Sequence, residues 1–175
     1  MADSARDAER RRSNRRIGLG VALAVFLLDQ LMKWVVTYPL QLEHYQSIKL
    51  LPFFSLQWLK NTGVSMGLLP ANSEMGRWLL VALTAAIAAF VTFWLWREKR
   101  RDDAIALSLV LGGALGNILD RVRLGYVVDY ADLHFGTIRP FLVFNVGDAA
   151  ITIGVLLLLV RALLTRDRKA SEEEK

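Results

Sequence analysis

Val143-Phe144-Asn145-Val146-Gly147-Asp148 opens the last apolar run of the chain, which then carries no charge until Arg161. A carboxylate inside a membrane span costs about 2.5 to 3.5 kcal/mol on insertion scales, and such residues carry function by default. Asn145 and Asp148 stand i, i+3, so on a helix they share one face. A second carboxylate, Asp129, lies upstream in Val127-Val128-Asp129-Tyr130. Two acids converging at a bilayer edge, without a metal cluster, suggest an aspartyl hydrolase.

Working outward, 175 residues suit a single domain. Hydrophobic residues make up 54% of the chain, above the usual ~45–50% of soluble domains. Cysteine is absent, which removes disulfides, thiolate metal sites and a cysteine nucleophile. The net charge is +5, but its bases sit beside apolar runs. That is a membrane-topology pattern, and no nucleic-acid partner is expected.

Four membrane spans are expected, at about 17–38, 77–96, 104–120 and 141–164. The arginine-rich stretch 1–16 reads as a solvated basic tail. With the apolar run behind it, it superficially resembles a secretory signal, but no Ala-x-Ala site closes that run. It continues through Asp29 and Lys33 for ~33 Å of helix, so a retained span is read. Tryptophans bracket the second span, as interfacial residues do. In the third, Ser108, Gly112 and Gly116 form a small-residue stripe that lets another helix approach. The connection 39–75 contains Phe54-Ser55-Leu56-Gln57-Trp58, whose alternation predicts a half-buried strand and a small sheet at the membrane surface. The connection 121–140 carries no such assignment, and the charged end, 165–175, is read as disordered.

Lysine and arginine counts set the orientation. Fifteen lie in the N-terminal tail, the 97–103 hinge and the C-terminal segment, against five in the two other connections. Both termini are therefore expected in the cytoplasm. Asp29, Lys33, Asn117, Asp120, Arg121, Asp129, Asn145 and Asp148 then all gather at the outer leaflet.

Each motif also has a plainer reading. Asp29 and Lys33, at i, i+4, form a self-neutralising helix pair, which is compatible with shaping a site. Asn61-Thr62-Gly63-Val64-Ser65-Met66-Gly67 is a glycine-rich turn whose amides could hold a peptide or ester oxygen. Asn117 and Arg121 share a helical face. Arg121 either binds carbonyls or a lipid ester, or snorkels to the interface. No His-Glu-x-x-His occurs, only His44 and His134 are present, and Gly-x-Ser-x-Gly is missing. Acid–acid chemistry is what remains. An ionised carboxylate takes a proton from water while a neutral partner polarises the scissile carbonyl.

Taken together these blocks, from Asp29 to Asp148, resemble the lipoprotein signal peptidases (signal peptidase II). The resemblance implies a membrane all-α bundle of four transmembrane helices with a small extracytoplasmic β-cradle. It implies an aspartic endopeptidase of the bacterial inner membrane that cuts prolipoproteins just before a diacylglyceryl-modified lipobox cysteine. Asp129 and Asp148 match the family's catalytic pair. Asp29, Lys33, Asn61, Gly63, Asn117, Asp120, Arg121 and Asn145 match residues that bind substrate or shape the site. The family needs no metal or other cofactor. Its partners are diacylglyceryl-prolipoproteins, membrane lipids and cyclic lipopeptide inhibitors such as globomycin. Three positions depart from its pattern: Gly147 for alanine, and Tyr130 and Met66 for phenylalanine. A small transporter or proton relay is the rival reading, because intramembrane acids also mark transport paths, though no internal repeat is visible. A packing scaffold is the third, and would not need Asp129 or Asp148.

Overall fold

The computed structural model describes residues 2–63 and 74–173. In chain order the elements are α1 (Ala2–Thr37), α2 (Leu42–Tyr45), β1 (Ser47–Leu51), β2 (Phe54–Asn61), α3 (Glu74–Arg97), α4 (Arg101–Leu124), β3 (Val127–Leu133) and α5 (Val146–Glu173). Four of the helices, α1, α3, α4 and α5, are long and apolar enough to cross a membrane. The three strands form one antiparallel sheet in the order β1-β2-β3.

Helix α4 is the axis of the bundle. Of its most apolar stretch 56% is buried, against 22% in α1 and 17% in α3 and α5. The sequence explains why: a Cβ at Gly112 would lie 2.5 Å from the Ala22 carbonyl oxygen, and one at Gly113 would lie 2.3 Å from the Gly147 carbonyl oxygen. α1 and α5 therefore rest on α4 backbone to backbone. In lipid, where burial of apolar surface gives little drive, such close packing holds helices together. The remaining faces carry Leu23, Leu83, Phe90 and Leu156 outward, as a lipid-facing surface requires.

The sheet is fixed to one end of the bundle by its apolar side. Leu56, Trp58, Val128 and Tyr130 pack with Val36 at the end of α1 and with Leu42 of α2. The alternation in Phe54–Trp58 does mark a strand, β2. It is broken by a bulge between Leu56 and Leu59 in the pairing with β3, which bends the strand.

Several expectations change. The stretch 127–133, read only as part of a connection, is a strand. The fourth helix starts at Val146 rather than near 141, because Phe144 is held in an isolated bridge to Ala131. The third helix extends past 104–120 at both ends, closing on Gly125 at φ +86, whose N–H donates to the Arg121 carbonyl at 3.2 Å. Such a left-handed terminator suits glycine. The helix of α1 also continues back to Ala2 through most of the basic stretch, and α5 continues to Glu173 through residues expected to be disordered. Arg, Lys, Glu and Ala are good helix formers, so a helix already nucleated in the bundle propagates into them. Of the glycine-rich turn, Asn61 ends β2 and Gly63 takes φ +90. Val64, Ser65, Met66 and Gly67 lie outside the described residues.

Candidate active site

The turn at Gly125 sends the chain from α4 into β3 and so places Asp129 against the bundle. The Asp120 carboxylate receives the Val128 N–H at 3.2 Å, tying the new strand to the helix it has just left. Asp129 is fully buried at 0% exposure. Asn61 pairs across the sheet with Val127 and reaches diagonally to Asp129, donating its side-chain N–H to Oδ2 at 2.8 Å.

Asp148 comes from the first turn of α5. The Asp148 N–H donates to Asn145 Oδ1 at 2.8 Å, and the Asn145 N–H donates to Asp148 Oδ2 at 3.3 Å. This is a reciprocal cap in which both residues satisfy free N–H groups of a helix start. The expectation that the two share a helical face is therefore corrected: Asn145 precedes the helix and caps it.

Asn145 also reaches the other acid. Its Nδ2 donates to Asp129 Oδ1 at 2.6 Å, and lies 3.2 Å from Asn117 Oδ1 and 3.4 Å from the Val128 carbonyl. Asn117 in turn donates to Asp148 Oδ1 at 2.8 Å. Both carboxylates are thus held by amides from β2, α4 and the α5 cap, and one residue, Asn145, touches both.

Behind the amides sits a buried ionic cluster. Lys33 Nζ lies 2.8 Å from Asp29, 2.9 Å from Asp120 and 2.9 Å from Asn117 Oδ1. The i, i+4 pair of Asp29 with Lys33 therefore forms, but as part of a wider cluster. Asp29 also receives the Gly147 N–H at 2.8 Å, a further N–H of the α5 first turn. Gly116 makes room for it: a Cβ there would come 2.3 Å from Asp29 Oδ2. One ammonium between two desolvated carboxylates is stable only when the remaining acceptors find donors, and Gln30 supplies them, reaching Asp29 at 3.3 Å and Asp120 at 3.0 Å. Gln30 escaped the sequence reading, although it lies between the span's two charged positions.

Arg121 does not join these hydrogen bonds. Its Nη1 makes a long contact of 3.5 Å to the carbonyl of Asn117, and its Nη2 would lie 3.3 Å from a Cβ at Gly63. Asn117 and Arg121 share a face as expected, yet Asn117 alone reaches an acid. Gly63 lies over the Arg121 guanidinium, and its backbone holds no group of the acid network.

The acids open on a cleft of about 620 Å³. Asn61, Asp129 and Asp148 form its polar wall. Phe141, Leu142 and Ile153 form the apolar one, with the hydroxyl-bearing side chain of Thr152 beside them. Phe141 and Leu142, expected at the start of the fourth span, instead precede α5 and line the cleft, 60% and 89% exposed. Burial pushes the Asp129 carboxyl up to about 6; the Asp148 charge adds to this, and the amides of Asn61 and Asn145 oppose it. Two acids facing one cleft, one of them inclined to keep its proton, form an arrangement suited to general acid–base work.

Comparison with known proteins finds relatives over most of the chain. Residues 21–164 match the family model described as Signal peptidase (SPase) II. A lipoprotein signal peptidase of Rhizorhabdus wittichii is 56% identical, the match covering 95% of this chain and 96% of that protein. One from Sphingopyxis alaskensis is 54% identical over 91% of this chain and 92% of its own length. A bacterial membrane enzyme solved by the in meso method superimposes with a TM-score of 0.75 at 26% identity, covering 87% of this chain and 91% of that one.

Proposed function

Because the chain belongs to the signal peptidase II family, we propose that it is an intramembrane aspartyl endopeptidase. It removes signal peptides from diacylglyceryl-modified prolipoproteins, cutting just before the lipidated cysteine. The observation that carries this reading is Asn145, whose side chain holds Asp129 at 2.6 Å while its backbone N–H holds Asp148 at 3.3 Å. Two acids pinned to one residue, beside an apolar cleft, can share a water and a peptide bond.

Asp148, only partly buried on the cleft wall, is the base. It takes a proton from water, and the water oxygen attacks the scissile carbonyl carbon. Asp129, whose pKa is raised to about 6, gives its proton to the carbonyl oxygen, forming a gem-diol. Asp148 then passes its proton to the amide nitrogen, the C–N bond breaks, and a gem-diol hydroxyl returns its proton to Asp129. The cysteine leaves with a free amino group and the signal peptide with a carboxyl group. Lys33, Asp29, Asp120 and Asn117 position the pair, and no metal takes part.

Residues 17–164 form one catalytic domain between the stretches 1–16 and 165–175. The enzyme lies in the bacterial inner membrane with both termini cytoplasmic and the cleft on the outer side. Substrate acyl chains lie in the bilayer beside the cleft, and globomycin-like cyclic lipopeptides compete for it.

The test is incubation of the purified full-length chain with a synthetic diacylated lipobox peptide, reading product masses. Cleavage giving an N-terminal lipidated cysteine is expected. Cleavage at another bond, or proton flux in proteoliposomes with no cleavage at all, would overturn the reading, the latter in favour of a proton relay.

A further inference from the structure

The bundle end opposite the acids carries a second built feature. Between α1 and α3 runs a groove of about 550 Å³ lined by Arg11, Arg15, Thr92, Phe93, Trp96 and Arg97. Arg11 precedes Lys33 by 22 positions on the same helix, about 33 Å at 1.5 Å per residue. That matches the ~30 Å hydrocarbon core of a bilayer. The groove and the acid cluster thus lie at opposite membrane surfaces.

Its three guanidinium groups make no close ion pair among the described residues, although the Asp7 charge acts on Arg11 from one turn away. Arg15 donates from Nε and Nη2 to the Trp96 carbonyl at 3.1 and 2.7 Å, bridging α1 to the last turn of α3. Arg97 lies over the Phe93 ring, 4.4 Å from its centroid. Arg11 Nε is buried and has no hydrogen-bond partner. Among the described residues no carboxylate pairs with any of the three. Asp7, one turn before Arg11, is held by Lys99, and Glu98 is turned onto the backbone N–H groups of Lys99 and Arg100.

We propose that this groove binds the phosphate of an anionic glycerophospholipid, with an acyl chain laid along Phe93 and along Ala89, which also lines the groove. A buried donor without an acceptor is costly, and a phosphodiester supplies oxygens in the geometry guanidinium forks prefer. The basic rim stands at headgroup depth with apolar surface running into the span below it, an amphipathic match that a free phosphate ion does not use. The site is independent of the acid chemistry, so its test needs no turnover.

Full-length protein in phosphatidylcholine nanodiscs is titrated with phosphatidylglycerol, and retained lipid is counted by native mass spectrometry. A parallel arm in detergent is titrated with inorganic phosphate. The pair Arg11→Gln with Arg97→Gln should weaken phosphatidylglycerol binding about tenfold or more, since each cation contributes roughly one kcal/mol at such a surface. The charge-matched pair Arg12→Gln with Arg16→Gln, exposed on α1 and outside the groove lining, should stay within about twofold of the parent at physiological salt, because exposed charges off the site are screened. If the first pair fails to fold, Arg97→Gln alone, at an exposed position, should still give a measurable loss. Equal losses in both pairs would mean diffuse surface charge and overturn the site. Inorganic phosphate binding as tightly as the lipid would overturn the lipid assignment.

Discussion

Asn145 and Asp148 begin helix α5 by capping each other, through contacts of 2.8 Å and 3.3 Å between each side chain and the other's backbone N–H. One of the two acids facing the cleft is therefore part of the stop that fixes where the helix starts. Asn145→Ala removes the cap and the donor to Asp129 together. A helix cap contributes about 1 kcal/mol, so unfolding should show a modest loss. Turnover should fall well beyond that, by about a hundredfold or more, because Asp129 loses a positioning donor and the turn that carries Asp148 loses its cap. Parallel losses in stability and turnover would leave Asn145 a simple cap.

Asp129→Asn and Asp148→Asn should each abolish cleavage of a diacylated lipobox peptide while folding and peptide binding persist. An amide keeps the shape but can neither take water's proton, as Asp148 does, nor give one to the carbonyl oxygen, as Asp129 does. Acting as a unit, the acids should give non-additive losses, the double variant being little worse than either single one. Near-normal turnover in either single variant removes that residue from the mechanism.

The pH dependence follows from Asp129. Burial and the Asp148 charge raise its carboxyl to about 6 from 3.8, so the folded chain holds this proton more tightly than the unfolded one. Its contribution to stability is then greatest below about 3.8 and is lost as pH rises through about 6. In kcat/KM, which reports the free enzyme, a limb near pH 6 should fall with rising pH as the acid loses its proton. Asn61→Leu removes a donor that favours the ionised form, so this limb should move to higher pH. A limb that stays put or moves downward refutes the assignment to Asp129.

Lys33→Met strands two buried carboxylates, Asp29 and Asp120, at 0% and 4% exposure. Removing one member of a buried ionic group costs about 3–5 kcal/mol. The midpoint of unfolding in detergent should drop sharply, and adding Asp29→Asn to the same chain should recover part of the loss.

The orientation rests on the fifteen-to-five count of basic residues. Cysteines placed singly at Ser47 and Ser171 should react with an impermeant thiol reagent from opposite sides of the membrane. Labelling from one side only would refute the four-span topology.

The spans and the polar cluster were readable because a charge inside an apolar run is an energetic outlier wherever it falls. Strand β3 was not. Six of its seven residues are buried, charged and apolar alike, so the two-residue alternation that reveals a half-exposed strand is erased. The role of Asn145 was hidden for another reason. A spacing of three describes both a shared helical face and a cap with its partner in the first turn, and only the backbone tells them apart. The wall of Phe141 and Leu142 depends on where residues distant in sequence fold back, which no local pattern encodes.

Phe144 exchanges hydrogen bonds with Ala131 at 3.0 and 2.8 Å and accepts another from Tyr130 at 3.1 Å. These bonds tie a knot at the neck of the segment between β3 and α5. Beyond the knot the chain makes a side excursion through Gly136, at φ +63 with open space around it, and returns along the cleft. Doubling the length of such an excursion costs only about 0.6 kcal/mol in closure entropy, and the knot keeps the strain away from Asp129 and Asp148. The part that lines the cleft can thus be rewritten, lengthened or shortened while the spacing of the acids stays fixed, so the shape of the cleft wall and the placement of the acids are free to change at different speeds.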